Sequence, residues 1–350
     1  MFKYKIVRSP APVWMRTLIP IAAILLSFII SSIFVIIAGA NPFAAFYNFL
    51  IAPLSSQSSA LEVLVKSTPL ILTGIAVTFA FTAGYYNIGA EGQLYAGAIA
   101  AAWIGINFPQ LPSEVIIPLM MVGGFVAGML WALIPALLKV YLKIDEVVTT
   151  LLMNSIIMYF VSYLLNDYWR NPQSGYPQSP DISAAAHFVR LVPKSRLNAD
   201  FIMAIVVVII VYFLIRRTPL GLQMRASGAN ASGARFAGVN VPRTMLTAAL
   251  VSGGIAGLAG MGEIAGIQFH LIEAISSNFG YTGIIVATLG GLHPLGVAVA
   301  ALFIGLIGTG SQTVSLALGV PVYLGDIVQS TLLLVTLGML LLQNYRIERR

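Results

Sequence analysis

Apolar residues in this chain gather into long runs separated by short polar or basic connections. Ten such runs stand out, at 17–38, 63–83, 88–106, 115–140, 147–165, 201–215, 244–265, 280–292, 295–316 and 323–342. Most approach the roughly 20 residues a helix needs to cross a hydrocarbon core about 30 Å thick. The residues are apolar around the whole helical circumference, which marks buried or lipid-facing helices rather than surface ones. The pattern predicts an all-α polytopic transmembrane bundle of about ten helices, forming one domain over 1–350. The runs at 88–106 and 280–292 are short or glycine-interrupted, and the second also fits a re-entrant segment. The first run follows a basic lead-in, but it is too long for a signal-peptide core and ends without a small-x-small cleavage pattern. It is expected to be retained as a helix.

Composition supports the lipid-facing reading. The chain is 58% hydrophobic and only 9% charged, against about a quarter charged in soluble domains, and its mean hydropathy is +0.91. With no cysteine, disulfides, thiolate metal sites and cysteine nucleophiles are excluded. The net charge of +7 does not form a stripe with aromatics, so no nucleic-acid partner is expected. The basic residues sit at helix ends, where they set orientation and meet lipid headgroups. Lys3, Lys5, Arg8 and Arg16 place the N-terminus in the cytoplasm. Alternation then collects Lys139, Lys143, Arg216, Arg217, Arg225, Arg235, Arg243, Arg346, Arg349 and Arg350 on the same side, with the C-terminus. The remaining basic residues are Lys66, Arg170, Arg190, Lys194 and Arg196, and four of these fall in a proline-punctuated external loop at 166–200. No GxxxxGK[ST] phosphate loop occurs, so any ATP chemistry belongs to another chain.

Few polar residues fall within the apolar runs. Around 84–93 the glycines Gly84, Gly89 and Gly92 allow a helix to break and restart. Asn87 is a competent N-cap and Glu91 lies in the expected first turn, where the helix dipole favours a carboxylate. Two readings stay open: direct contact with a transported molecule, or stabilisation of a helix start. A charge at the bilayer centre costs about 2.5–3.5 kcal/mol on insertion scales, so Glu91, Glu263 and Asp326 are expected to face the bundle interior or an interface. Glu263, Gln268 and His270 suggest a polar patch near the outer mouth. Tyr85, Tyr86 and Tyr281 suit either stacking on a planar group or core filling. The series Gly253, Gly254, Gly257 and Gly260 reads as a close-packing device. His187, His270 and His293 are scattered, so no metal site is expected. Nor is there a paired-carboxylate, HExxH or Ser/His arrangement that would make an intramembrane enzyme.

The longest cytoplasmic connection, 216–243, is polar, basic and rich in small residues: Ala226, Ala229, Gly233, Ala234 and Ala237 recur at helix-compatible spacing. It fits a short helix docked on a partner or an ordinary orientation-setting loop. The run TPLGLQMRASGANASGARFAGVNV, followed by SGGIAGLAGMGEIAGIQFH, resembles the coupling region and next helix of the ABC importer permeases grouped with the branched-chain amino acid and ribose systems. IDEVVTTLLMNSI, GYYNIGAEGQLYAGAIAA and GYTGIIVATLGGLHPLG extend the resemblance, although LGGLHP is more apolar than expected there. The resemblance implies a multi-pass subunit of a prokaryotic cell membrane with three protein partners. These are a separate ATPase that carries ATP and magnesium, a second permease subunit, and an extracytoplasmic substrate-binding protein or lipoprotein. This chain itself needs no cofactor. The resemblance places Arg225, Gly228, Asn230, Ala234, Arg235 and Gly238 at the coupling surface. NIGAEGQ is similar to the nucleoside-uptake subgroup, with simple sugars as the alternative. The implied substrate pathway takes in Asn87, Glu91, Gln93, Tyr85, Tyr86, Glu263, Gln268 and Tyr281. An ion-coupled secondary transporter is the competing class; it would use ionisable groups on broken helices but gives 216–243 no purpose.

Overall fold

The computed structural model describes residues 4–8, 13–172 and 175–349; Lys3 and Arg350, two of the orientation-setting charges, lie outside them. All ten apolar runs are helical. In chain order the helices are α1 (Val13–Ile37), α2 (Pro42–Leu50), α3 (Gln57–Thr82), α4 (Ala90–Asn107), α5 (Ser113–Leu142), α6 (Glu146–Asn166) and α7 (Asp200–Arg217). They continue with α8 (Pro219–Ala229), α9 (Ala231–Phe236), α10 (Val241–Glu263), α11 (Phe279–Leu289), α12 (Pro294–Leu318) and α13 (Leu324–Asn344). Among the described residues, α3, α5, α6, α12 and the α10 helix with its following π-turn are each long and apolar enough to cross a bilayer. Counting the bent pairs α1–α2 (119°) and α7–α8 (73°) as one span each brings the number to seven. The 11-residue α11 reaches only about 16 Å at 1.5 Å per residue. That is half a bilayer, as the re-entrant reading of 280–292 expects.

The chain divides into two compact units, Met1–Ala60 with Leu306–Arg350, and Leu61–Gly305. In the first, α1 packs along α13, and two short strands, β1 (Tyr4–Arg8) and β2 (Tyr345–Arg349), pair antiparallel with Ile6 opposite Ile347. Hydropathy gives no hint of this pairing, since each strand is only five residues long. It holds the two ends of the chain together. The second unit places polar side chains of the sequence at its helix starts. Asp145 caps α6 by accepting from the Val147 N–H at 2.8 Å. Thr218 caps α8 through the Gly221 N–H at 3.2 Å, and Asn240 caps α10 through the Arg243 N–H at 3.1 Å. Such caps are each worth about 1 kcal/mol.

At the centre of this second unit, α10 packs against α4 and α5. The contact is backbone on backbone. A Cβ at Gly257 would run into the Gly124 carbonyl and sit 3.1 Å from Gly128 Cα, while one at Gly97 would land on the Gly257 peptide. Gly254 lies under the Phe125 ring and Gly260 against the Leu94 backbone. Small residues are what let membrane helices approach this closely, so the glycine series is a packing device as expected.

Candidate translocation and coupling sites

Between α3 and α4 the chain leaves the helical path. Gly84 takes φ +76°, a conformation costly for any side-chain-bearing residue, and helix resumes only at Ala90. Irregular backbone in a membrane protein must find its hydrogen bonds within the protein, and the partners can be traced residue by residue. The Tyr85 N–H bonds back to the Ala80 carbonyl at 3.2 Å. The Tyr86 N–H reaches Glu146 Oε1 at 3.3 Å, and the Ile88 N–H reaches Thr150 Oγ1 at 3.3 Å. The Gly89 N–H bonds Asn87 Oδ1 at 2.9 Å, and the Gly92 N–H bonds Asn154 Oδ1 at 2.9 Å. Asn154 Nδ2 in turn donates to the Ile88 carbonyl and to the Tyr281 hydroxyl, both at 3.0 Å. Glu146, Thr150 and Asn154 are spaced four apart, so they form one buried polar stripe along α6. Sequence reasoning missed all three as site residues. The signal was there, in the four-residue spacing of polar groups on an otherwise apolar run.

Asn87 is not the N-cap of α4. That position is Gly89, whose own side is uncapped; Asn87 instead folds over its own backbone in an Asx-type turn two residues earlier. Its Nδ2 donates to Gln93 Oε1 and to Ser252 Oγ, each at 2.9 Å. Gln93 Nε2 donates back to Asn87 Oδ1 at 3.1 Å, and the Ser252 hydroxyl donates to the Ala76 carbonyl at 2.7 Å. The group ties α3, α4 and α10 together, and every member is fully buried.

Glu91 lies in the first turn of α4, as expected, but its carboxylate serves another helix. Oε2 accepts from the Gly280 N–H at 2.7 Å. Glu91 therefore caps α11 from across the fold, where the helix dipole favours a negative charge. The two helix starts meet face to face, because a Cβ on Gly280 would collide with the Glu91 backbone. Thr73 Oγ1 donates to the Phe279 carbonyl at 2.9 Å and joins α3 to the same junction. Discontinuous helices whose starts meet in this way surround the binding sites of many transporters.

The structure thus gathers Asn87, Glu91, Gln93, Tyr85 and Tyr281 at one junction. Asn87, Glu91 and Gln93 are sealed among protein partners, while Tyr85 is buried to 1% exposure. Tyr86 is about half exposed, with its ring edge-on to Phe81 at 5.2 Å. Glu263 and Gln268 are not part of this group. Glu263 lies eleven residues beyond Ser252 on α10, about 16 Å further along the axis, beside Asp200. Gln268 ends the π-turn that follows. There, 166–200 is stitched to 265–271 through backbone bonds such as Ser179 N–H to the Leu271 carbonyl at 2.9 Å.

The segment 216–243 folds as two helices rather than one. The break falls at Asn230, whose Oδ1 caps α9 through the Ser232 and Gly233 N–H groups at 3.1 and 3.0 Å. The coupling candidates divide between two faces. Arg225 donates to the Ile215 carbonyl, Ala234 is buried, and the Gly228 backbone lies against Thr82 and Gly84. These three hold the segment to the bundle. Asn230, Arg235 and Gly238 are exposed, and beside them Phe236 is 96% exposed. The sequence reading passed over Phe236, the largest apolar side chain on α9.

The fold is an apolar helical bundle with a broken segment and two abutting helix starts, that of a multi-pass membrane protein. The chain belongs to the family described as the branched-chain amino acid transport system permease component, whose model matches residues 59–337. It is 33% identical to a glucose ABC transporter permease protein of Haloferax volcanii over 97% of this chain and 92% of that protein. It is 32% identical to a nucleoside ABC transporter permease protein of Lactococcus lactis, over 85% of this chain and 84% of that protein. A guanosine ABC transporter permease protein of Bacillus subtilis matches at 32% over 91% and 92% of the two chains. The chain is therefore an ABC transporter permease.

Proposed function

We propose that this permease imports a nucleoside, that it pairs with a second permease subunit to enclose the path, and that a separate ATPase drives it. An extracytoplasmic binding protein or lipoprotein delivers the solute. The substrate assignment is supported by the nucleoside and guanosine permeases among its relatives and by NIGAEGQ at the helix break. A hexose is the second reading, because the glucose permease is equally similar. In either case the path follows the junction of α4 and α11. Asn87, Glu91 and Gln93 keep the junction in shape, and Tyr86 and Tyr281 offer ring faces and a hydroxyl to a polar, planar solute.

Coupling runs through α8 and α9. The observation that carries this reading is the two-sided construction of the segment: one face is tied to the helix break through Gly228, and the other presents the exposed Phe236 and Arg235. A large exposed aromatic flanked by a cation is the kind of anchor that fills a pocket on a protein partner. Displacement of α9 would press the Gly228 backbone on Thr82 and Gly84, five residues or fewer from Asn87. Phe236→Ala combined with Arg235→Glu is expected to remove the ATPase from the affinity-purified complex. Because both side chains are exposed, the permease itself should keep its yield and its elution volume. Retention of the ATPase at the wild-type ratio would show that α9 is not the docking element.

A further inference from the structure

A second cluster of ionisable side chains lies away from the helix break, around the start of α7. Asp200 is 3% exposed and Glu263 is 5% exposed, and both line one small cavity with Asn198, Thr68, Val65, Leu197, Phe201 and Ile267. Gly262 lacks a side chain where a Cβ would come within 2.5 Å of Asp200 Oδ1, so the Asp200 carboxylate can lie against α10 one residue from Glu263. Asp200 Oδ1 is buried with no hydrogen-bond partner.

The neighbouring donors are committed elsewhere. Asn198 Nδ2 donates to the Arg196 and Gly266 carbonyls at 3.2 and 3.1 Å, and Thr68 Oγ1 donates to the Leu64 carbonyl at 2.9 Å. Arg196 pairs with Glu62 at 3.0 Å and is more than half exposed. What the cavity offers is therefore oxygen lone pairs: those of the two carboxylates, of Thr68 Oγ1 and of Asn198 Oδ1. A buried polar atom left unsatisfied in a native fold calls for an occupant such as a water or an ion.

Charge bears on the choice. Asp200 and Glu263 are both buried, and among the described residues no basic side chain forms an ion pair with either. A neutral water would leave both carboxylates without a counter-charge. Among the described residues, no third histidine, cysteine or carboxylate completes a metal cluster. Oxygen-only ligands select hard cations, and the space is about that of one water.

We propose that Asp200 and Glu263, with Thr68 and Asn198, bind a monovalent cation of sodium size that locks the start of α7 to the end of α10. The site is separate from the helix break and does not depend on which solute is carried. The test uses the full-length permease in detergent, with thermal unfolding followed as sodium chloride replaces choline chloride at constant ionic strength. Retention of radioactive sodium by the same preparation is measured in parallel. A saturable rise in Tm with sodium and saturable sodium retention are expected for the wild type. Both should be lost in Asp200→Asn and in Glu263→Gln, which otherwise unfold cooperatively in choline. Equal Tm in sodium and choline, no saturable retention, or retention undiminished in either variant would overturn the proposal. So would stabilisation that follows pH and not sodium, because the counter-charge would then be a shared proton. Should neither variant fold, the wild-type retention measurement decides.

Discussion

Glu91→Ala is expected to cut transport by at least about tenfold while leaving the ATPase bound. The substitution strips the carboxylate from the start of α11 and leaves the Gly280 N–H buried without an acceptor. An orphaned buried donor of this kind costs about 1–3 kcal/mol, and about 1.4 kcal/mol is already tenfold in the balance between two arrangements. The junction of α4 and α11 would open, yet α8 and α9 contact the bundle elsewhere, so the docking surface would stay whole. Glu91→Gln keeps an oxygen near the Gly280 N–H and should retain more activity than the alanine variant. Solute uptake and ATPase co-purification, measured on the same membranes, check both points. Wild-type uptake by Glu91→Ala would mean that the cross-fold cap has no part in transport.

Gly257→Val should have the larger effect on folding. Its side chain would enter a contact in which the α10 backbone already touches the α5 backbone at Gly124 and Gly128. Overpacking a well-fitted core costs about 1–3 kcal/mol when side chains can adjust; here no side chain stands in the gap to move, and the helices themselves must separate. Most of the protein should aggregate or be degraded, which fluorescence-detected size-exclusion chromatography would report as loss of the monodisperse peak. Gly338→Ala on α13 is the control, since nothing lies within 4 Å of the added carbon. Its peak should match the wild type, because surface changes without such contacts stay within about 0.5 kcal/mol.

These expectations rest on features that the sequence discloses unequally. The ten helices were legible because lipid demands long apolar runs whatever surrounds them. The run at 88–106 matches α4 to within two residues. The break before α4 was legible too, since Gly84 and Gly89 signal it locally. Its hydrogen-bond partners were not, because Asn154 lies 62 residues from Gly92 and Ser252 lies 165 from Asn87. Hydropathy reports that a residue is buried, not what it meets. The same limit explains Asn87, whose local spacing suggested a cap but whose side chain turns back on its own backbone. Glu263 was rightly marked as costly in an apolar helix, but its companion Asp200 stood at a helix start where a carboxylate is unremarkable. In 216–243 the small residues pointed to a docked helix. Much of that smallness serves contact with Thr82 and Gly84 instead, and the exposed Phe236 is what remains for a partner.

The central claim is that solute movement through this chain is powered by ATP hydrolysed on another subunit. Uptake into right-side-out or reconstituted vesicles that contain the permease pair and the ATPase, with the binding protein outside and ATP sealed inside, tests it most directly, with labelled guanosine as solute and sodium equal on both sides. The account predicts accumulation that requires ATP on the ATPase side, is competed by unlabelled nucleosides but not by glucose, and is indifferent to a collapsed proton gradient. Accumulation without ATP that follows an imposed ion gradient would contradict it.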